Sequence, residues 1–320
     1  TWTTVACAAR CVVTADCPAA TVCRLSRRRA LRLNDPFGVH RQRASATTEG
    51  PGLSTKLRAL AEKAQHELAD ATAAEALAWT AETFGDRWIV ASNMQDAVLI
   101  DLAYQVKRDL DVLFLDTGYH FIETIGTRDA VAVVYPEVRI INAEPDQSVA
   151  EQEAEFGQLY RTDPDRCCHL RKVVPLRRVL AGYDAWVTGV RRVDAPTRAN
   201  TPIVHWDELN GLVKVNPIAA WSDEEFDAYI AQRGILQNPL VRAGYPSIGC
   251  QPCTSKPLPG QGPRSGRWAG LGKTECGLHS RPPRPDLPNL ELTPTLDRRP
   301  NIDLQPAGPG PAAAPAEPQG

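Results

Sequence analysis

The chain has 320 residues, of which 43% are hydrophobic and 23% charged, and its formal net charge is -2. A chain of this length and composition can bury one sizeable hydrophobic core, or two small ones, without disulfides. The near-zero charge excludes a general attraction to nucleic acid or membranes, so an anion site must come from local clusters of Arg and Lys. The sequence also lacks a run of about 18 apolar residues, the minimum for a membrane-spanning helix.

The first 52 residues are predicted to be a poorly structured extension outside the fold. They show no apolar periodicity, and arginines crowd together between positions 24 and 32. We interpret them as an upstream stretch translated ahead of the true start rather than as a transit peptide. A secretory signal is not expected, so the cytoplasm is the expected location. In a reducing compartment, the nine cysteines of the chain indicate metal binding or catalysis rather than disulfides.

Periodic sequence begins at Ser54. Apolar residues then recur at helical spacing and predict an amphipathic helical region that ends at Gly85. The elements predicted after it alternate: strand 88–91, helix 98–106, strand 112–115, helix 121–131, strand 138–141, helix 167–180 and strand 185–188. This order predicts an α/β fold, with a mostly parallel sheet and helices on both faces.

Two features of the C-terminal half complete the predicted organisation. Asn210-Gly211 separates the apolar segments 203–206 and 212–215, which predicts a hairpin and a short antiparallel addition to the sheet. Beyond His279 the sequence is rich in Pro, Gly and Ala. It cannot bury enough apolar surface to offset the conformational entropy that it would lose on folding. The predicted parts are a folded domain at 53–280, a mobile segment within it near 262–280, and a disordered tail at 281–320.

Two pairs of cysteines form a candidate metal site. Cys167-Cys168 is predicted to open a helix, and Cys250-Gln-Pro-Cys253 lies in a turn-rich stretch. Four thiolates suit either a tetrahedral zinc ion or a 4Fe-4S cluster. Zinc usually takes a C-x-x-C pair on each side, whereas adjacent cysteines diverge on a helix and fit the separate irons of a cluster more easily. Iron-sulfur is the preferred interpretation, and zinc stays open.

A fifth cysteine has a different setting. Cys276 lies in a polar, glycine-containing segment just before the predicted tail, so we expect it to be exposed and mobile. A thiolate is the reactive form of cysteine, and the nearby Lys273 and His279 would favour it, whereas Glu275 would oppose it. Cys276 is therefore a candidate nucleophile, the alternative being an incidental surface cysteine.

Positive side chains gather in three motifs that flank cysteine elements or strand ends: Arg171 with Lys172, Arg191 and Arg192 with Arg198, and Arg264 with Arg267. In an open α/β sheet, ligands bind beyond the carboxyl ends of strands, and guanidinium groups suit phosphate and sulfate oxygens. A doubly anionic substrate is predicted. Ser92 follows the first strand in a segment whose N–H groups could hold a phosphate. Asp116 follows the second strand and could accept from a ribose hydroxyl or an adenine amine.

Several of these segments together resemble the assimilatory adenylyl-sulfate (APS) reductase family. The resemblance rests on Cys167-Cys168, Tyr245-Pro-Ser-Ile-Gly-Cys-Gln-Pro-Cys-Thr254, Arg264-Ser-Gly-Arg-Trp268 and Lys273-Thr-Glu-Cys-Gly-Leu-His279. Three shorter segments are also similar: Leu115–Gly118, Val187–Arg192 and Lys214–Pro217. The resemblance covers roughly residues 54 to 280 and departs at Ser92-Asn-Met-Gln-Asp96, where the family often has Ser-Phe-Gly-Ala-Glu-Asp.

The resemblance implies an adenine nucleotide α-hydrolase-like fold, APS as substrate, a 4Fe-4S cluster, and thioredoxin or a similar dithiol donor. It implies the cluster ligands Cys167, Cys168, Cys250 and Cys253, the nucleophile Cys276, and the substrate-binding residues Lys172, Arg264, Arg267 and His279. The implied reaction is reduction of APS to sulfite and AMP in sulfate assimilation, through a thiosulfonate on Cys276.

Three alternatives stay open. Reductases of the 3'-phosphorylated substrate (PAPS) share the Glu-Cys-Gly-Leu-His motif but generally lack the two cysteine pairs, so the pairs favour APS. An ATP-using adenylation enzyme of the same fold class would need a Ser-Gly-Gly-x-Asp-Ser loop, which the sequence lacks. A zinc-binding module without enzymatic activity would make Cys276 dispensable. The sequence does not predict an oligomeric state.

Overall fold

The computed structural model describes residues 52–279. The helices are α1 Gly52–Glu67, α2 Ala73–Phe84, α3 Val98–Val106, α4 Ile122–Val134, α5 Val149–Phe156, α6 Leu159–Thr162, α7 Pro164–Cys168, α8 Val174–Leu180, α9 Asp223–Arg233 and α10 Pro239–Arg242. The strands are β1 Trp88–Ala91, β2 Asp111–Leu115, β3 Arg139–Ala143, β4 Ala185–Thr188, β5 Val204–Asp207 and β6 Leu212–Val215. No helix in this part of the chain is long and apolar enough to cross a membrane.

These six strands form one sheet in the order β3-β2-β1-β4-β6-β5. Neighbouring strands run parallel, except that β5 pairs with β6 in the antiparallel sense. The chain extends the sheet from β1 to β3 and then returns to the other side of β1 to add β4. Ligand crevices of open α/β sheets form beyond the carboxyl ends of the strands at such a reversal. The loops after β1, β2 and β4 are therefore where a site is expected.

Neighbouring residues of the central strands supply two hydrophobic layers on opposite faces of the sheet. Val90 of β1 and Val187 of β4 belong to the larger layer, with residues of α1, α2 and α3. Their neighbours Ile89 and Trp186 pack on the other face with Leu176 of α8. Because side chains alternate across a strand, both layers need covering helices. The predicted α/β fold, a mostly parallel sheet with helices on both faces, is confirmed.

The helical region predicted from Ser54 to Gly85 is two helices. The first ends at Glu67, and Thr72 begins the second with a capping box. The Thr72 side chain accepts from the Glu75 N–H, and the Glu75 carboxylate accepts from the Thr72 N–H. This reciprocal pair stabilises a new helix start. Gly85, at φ 55°, follows the second helix as its C-cap.

The helix predicted at 167–180 is interrupted. Cys167 and Cys168 close α7 instead of opening a helix, because Asp163 caps that helix earlier in the chain. Residues His169–Val173 then form a π-helical turn before α8 begins. Single π turns inside helices are frequent at functional sites.

Two helices that begin with a capping box are absent from the sequence prediction. Each begins at a serine with a capping box, Ser148 with Glu151 for α5 and Ser222 with Glu225 for α9. This Ser-x-x-Glu pattern is visible in the sequence. The apolar period that carries most helix predictions is weak here, because α9 has no buried residue and α5 buries only Gln152.

The predicted hairpin is present. β5 and β6 pair with Val204 opposite Val215, and Gly211 of the turn adopts φ 69°, which glycine tolerates readily. β6 also joins β4 in parallel, so β5 is the antiparallel addition.

The predictions for residues 1–51 and 281–320 lie outside the described residues. Gly52, which the prediction assigned to the extension, begins α1. The described fold therefore includes one residue before the predicted boundary at residue 53.

Replacing Leu77 by alanine is expected to lower the free energy of unfolding by about 2–5 kcal/mol, because Leu77 is fully buried in the larger layer. Urea unfolding followed by circular dichroism measures the change. Ile122→Ala is the control: its side chain is 79% exposed, so we expect a change of about 0.5 kcal/mol or less. Equal effects of the two substitutions would contradict the buried position of Leu77 in the larger layer.

Candidate functional site

Four cysteine thiols from two distant parts of the chain meet in one pocket. Cys167 and Cys168 end α7, while Cys250 precedes a single 3-10 turn and Cys253 is its last residue. All four are free and buried. The other residues that line the pocket are Tyr119, Tyr160, Pro164, Arg171, Lys172 and Pro252. The four residues predicted as metal ligands thus lie together, although no group of three or more His, Cys, Asp or Glu within 52–279 is arranged to hold a metal ion.

Loops at the carboxyl ends of β1 and β2 hold the Cys250 turn in place. After β2, the Thr117 hydroxyl lies 3.2 Å from the Cys250 sulfur, and the Tyr119 carbonyl accepts a backbone hydrogen bond from the turn at 2.7 Å. After β1, the Gln95 side chain accepts from the Ile248 N–H at 2.9 Å. The sheet edge and the second cysteine pair are therefore one connected structure.

The π-helical turn places two buried cations beside the first cysteine pair. The Arg171 guanidinium is bonded to other parts of the protein: it donates to the Thr117 carbonyl at 2.5 Å and to the Gln152 side chain at 3.1 Å. Lys172 lines the thiol pocket, and its ammonium lies 5.9 Å from the centre of the Trp268 ring. Lys172 is therefore the cation of this motif that the pocket can use.

The thiols and Lys172 perturb one another. Burial, followed by the charges of the neighbouring thiols, raises the pKa of Cys167 to about 12 and that of Cys253 to about 11. Burial lowers the pKa of Lys172, but the charges of the nearby cysteines, led by Cys250, outweigh burial and leave that pKa raised. Negative charge on these sulfurs therefore needs a bound cation or metal, and Lys172 is charged.

The segment 262–279 folds back onto this pocket. The backbone N–H of Trp268 donates to the Cys253 carbonyl at 3.0 Å, and the buried Trp268 ring packs against the cysteines. Cys276 packs against the same cluster and is partly exposed. Arg267 and Lys273 lie 4.7 and 5.4 Å from the centre of the Trp268 ring. The predicted nucleophile and the predicted metal ligands therefore share one site.

Two arginines hold the residue before Cys276. The Glu275 carboxylate accepts from Nε and Nη2 of Arg198, each at 3.0 Å, and from Nη2 of Arg264 at 3.2 Å. Burial raises the pKa of Glu275, but the hydrogen bonds and charge of Arg198 leave that pKa lowered. Glu275 is therefore a carboxylate at neutral pH.

His279 packs against Trp186 and Lys214. Its ring stacks on the indole with 5.7 Å between centroids, and its Nδ1 lies 2.9 Å from the Lys214 ammonium. Burial, then the charge of Lys214, holds the pKa of His279 well below its usual value. The imidazole is neutral, so Nδ1 accepts from Lys214 and Nε2 carries the remaining proton as a donor. Burial in turn lowers the pKa of Lys214 to about 8.

Two predicted arginines after β4 have acidic or backbone partners. Arg191 pairs with Asp194 and with Asp223, each at 2.9 Å. Arg192 donates to the Thr201 carbonyl at 2.9 Å. Both lie at the expected strand end, but their described contacts are with other parts of the protein.

Ser92 and Asp116 lie at the carboxyl ends of β1 and β2, as predicted. The Ser92 hydroxyl accepts from the Met94 N–H at 3.1 Å, and Asp116 accepts from the Gly118 N–H at 3.1 Å. Arg128 lies 3.6 Å from the Asp116 carboxylate. These contacts shape the two loops, and the binding roles of Ser92 and Asp116 stay predictions.

Lys214 and Trp268 have no role in the sequence prediction, in which Arg198 and Glu275 are also unconnected. Lys214 had a usable signal, because it is a charged residue in an otherwise apolar strand, and buried lysines need an explanation. The contact between Arg198 and Glu275 joins positions 77 residues apart. Only the folded chain could show it.

Gly266→Ala is expected to open the cysteine site. A Cβ at Gly266 would lie 1.9 Å from the Ser255 carbonyl oxygen, although the Ser255 N–H donates to the Gly266 carbonyl at 2.9 Å. The two segments must separate, so the buried thiols should react faster with a thiol reagent and Tm should fall. Gly262→Ala is the control, because a Cβ there meets no atom within 4 Å. Equal thiol reactivity in both variants would contradict the close approach.

Comparison with known proteins agrees with this arrangement. Residues 87–256 match the family model for the phosphoadenosine phosphosulfate reductase domain. The chain is 64% identical over 225 residues to the adenosine 5'-phosphosulfate reductase of Mycolicibacterium smegmatis, which covers 70% of this chain and 95% of that protein. It is 60% identical over 247 residues to the enzyme of that name from Rhodococcus opacus, covering 74% of this chain and 98% of that protein.

A solved structure is also similar. The crystal structure of the phosphoadenylyl-sulfate reductase from Candida auris, in a phosphate complex, aligns with a TM-score of 0.53 and 26% identity. The alignment covers 66% of this chain and 99% of that chain. The family model spans more than half of the sequence, and nearly the full length of both curated relatives is matched. The chain therefore belongs to the phosphoadenosine phosphosulfate reductase domain family, among the adenosine 5'-phosphosulfate reductases, which are oxidoreductases acting on a sulfur group.

Proposed function

We propose that this chain reduces APS to sulfite and AMP in sulfate assimilation, with Cys276 as the nucleophile. The observation that carries the proposal is the packing of Cys276 against the buried cysteines. The charges that interact with Cys276 include those of Lys172, Arg198, Lys214 and Arg264. A cysteine sulfur with several cations in its neighbourhood suits attack on an anionic substrate, because the cations offset the negative charge of the substrate.

APS is the proposed substrate rather than its 3'-phosphorylated form. The two curated relatives with 60 and 64% identity are named adenosine 5'-phosphosulfate reductases. The relative named for the 3'-phosphorylated substrate shares 26% identity. The two cysteine pairs, which in this family accompany APS, support the same choice.

The four buried cysteines fit a 4Fe-4S cluster by their chemistry. Soft thiolates on two separate elements are the usual donors to such clusters, and Lys172 beside them would offset their negative charge. We therefore propose Cys167, Cys168, Cys250 and Cys253 as ligands. When bound, the cluster would supply a fixed electrostatic centre next to the substrate, while the electrons for the reduction come from thiols.

Lys172, Arg264, Arg267 and His279 are proposed to bind the anionic part of the substrate. Lys172 and Arg264 are among the cations that interact with Cys276, and His279 presents an Nε2–H donor. The Arg267 guanidinium packs so closely on Gly249 that a Cβ there would lie 2.1 Å from it. These groups would neutralise the substrate and the departing phosphate.

The first step forms one sulfur–sulfur bond and breaks one sulfur–oxygen bond. The Cys276 thiolate attacks the sulfur of APS, and AMP departs with the electron pair of the broken bond. A thiosulfonate remains on Cys276. No oxidation state of a metal changes in this step.

The second step delivers the two electrons. A thiolate of thioredoxin, or of a similar dithiol donor in the cytoplasm, attacks the Cys276 sulfur and expels sulfite. The second thiol of the donor then attacks the mixed disulfide, which releases Cys276 and leaves the donor oxidised. The partly exposed position of Cys276 supports access by such a donor.

Anaerobically purified protein with thioredoxin is expected to release sulfite from APS, and Cys276→Ser is expected to abolish that release. The hydroxyl of serine is a far weaker nucleophile at neutral pH and cannot form the thiosulfonate. Sulfite is measured in parallel assays with APS and with PAPS. Preference for PAPS would contradict the proposed substrate, and undiminished activity of the variant would contradict the nucleophile.

Metal analysis of the wild type and Cys276→Ser distinguishes an iron-sulfur reductase from a zinc-binding module. Iron and sulfide in both proteins, with activity only in the wild type, support the proposal. Zinc in place of iron, with no sulfite from either nucleotide, would indicate a zinc-binding module instead.

The pH dependence of sulfite release should show a basic limb near pH 8. Lys214 loses its proton there, and with it the charge that holds His279. Lys214→Arg keeps the charge at higher pH and should shift the limb upward, whereas Lys214→Met should lower activity and remove the limb. Stability responds with the opposite sign: burial of the charged lysine costs free energy below pH 8, and this cost is relieved as the pH rises towards the unfolded pKa. A limb that is unchanged in Lys214→Arg would contradict this assignment.

A further inference from the structure

The contact between Arg198 and Glu275 has the geometry of a docking point for the C-terminal segment. Two parallel hydrogen bonds join the guanidinium to the carboxylate, each 3.0 Å long, and both side chains are 14% exposed. Thr197 adds a hydroxyl donor to the same carboxylate at 3.2 Å. Bidentate arginine–carboxylate pairs fix orientation as well as distance. Glu275 precedes Cys276 directly, so fixing Glu275 restricts where Cys276 can lie.

The arginine side of this contact is anchored to the body of the protein. Arg198 ends a 3-10 turn in the connection after β4, and its guanidinium also donates to Asp194 at 3.3 Å. At the other end of the segment, His279 is held by Lys214. Residues 275–279 are therefore held at both ends, and Cys276 lies directly next to the Glu275 contact.

Arg198 and Arg264 share Glu275 but differ in what else they do. Arg264 belongs to the 262–279 segment itself and is proposed above to bind substrate. If it turns to a substrate anion, Arg198 is the arginine that still joins Glu275 to the rest of the protein. The two arginines would then have different roles: Arg198 holds the C-terminal segment, and Arg264 holds the substrate.

We propose that Arg198 is a positioning residue that docks the C-terminal segment through Glu275 and thereby keeps Cys276 against the cysteine pocket. The kinetic part of this inference rests on the proposed function. Docking itself does not, because the accessibility of Cys276 can be measured without substrate.

The first test is the rate at which Cys276 is alkylated by N-ethylmaleimide in the substrate-free protein, with the modified peptide identified by mass spectrometry. Arg198→Met should raise this rate about 10-fold, the factor expected for losing a charge-assisted pair. The direction is diagnostic. If Arg198 acted only through its charge on the thiolate, its removal would slow alkylation, and that result or an unchanged rate would overturn the proposal.

The conservative variant Arg198→Lys supplies the rescue. It keeps a cation opposite Glu275 but loses the bidentate geometry, so its alkylation rate should lie between those of the wild type and Arg198→Met. Arg178→Met is the matched control, because it removes an arginine from the exposed pair with Asp146. A rate as fast in Arg178→Met as in Arg198→Met would mean that general destabilisation, not docking, exposes Cys276.

Steady-state kinetics with APS then separate docking from direct substrate binding. Docking predicts that Arg198→Met lowers kcat about 10-fold with little change in KM, and that Arg198→Lys recovers part of kcat. A raised KM without rescue would overturn the proposal in favour of substrate contact. If the wild-type protein failed to reduce APS, the proposed function would fail, while the alkylation result would still decide the docking role.

Discussion

The gathering of four thiols in one buried pocket is the constraint on which the rest of the site depends. Cys167 and Cys250 come from elements separated by more than 80 residues, and both line the pocket with two further cysteines. Charged sulfur in such a place is unfavourable unless a cation lies next to it. The π-helical turn meets this requirement, because it directs Lys172 into the pocket directly after the first cysteine pair.

The parallel sheet explains why the pocket forms where it does. The chain leaves β1 and β2 at the same edge of the sheet, and the loops there reach the second cysteine pair through Gln95 and Thr117. Arg171 ties the same edge to the π-helical turn. The two cysteine pairs are thus held by one rigid edge, which fixes their separation better than a flexible connection would.

The C-terminal segment adds reactivity to this rigid frame. Trp268 packs over the cysteines. Two further contacts hold the segment: the Glu275 carboxylate pairs with Arg198, and the neutral His279 imidazole accepts from Lys214. Because these contacts are hydrogen bonds and ion pairs, polar groups of a substrate can replace them at a smaller cost than the loss of a hydrophobic core would impose. Such an arrangement supports the proposal that Cys276 reacts first with a small nucleotide and then with a protein donor.

The sequence by itself determined the α/β class, the main strands and the identity of the cysteines that meet, because buried strands are continuous apolar runs and cysteines are rare and distinctive. Helix limits were less accurate where local caps such as Thr72, or the π-helical turn, overrode the apolar period. Only the tertiary structure decided which cations lie beside the cysteines and which pair elsewhere. The sequence does not distinguish one arginine from another, yet Arg171 donates to a backbone carbonyl inside the protein and Arg198 pairs with Glu275. Such pairs depend on distances across the fold, which no local sequence pattern encodes.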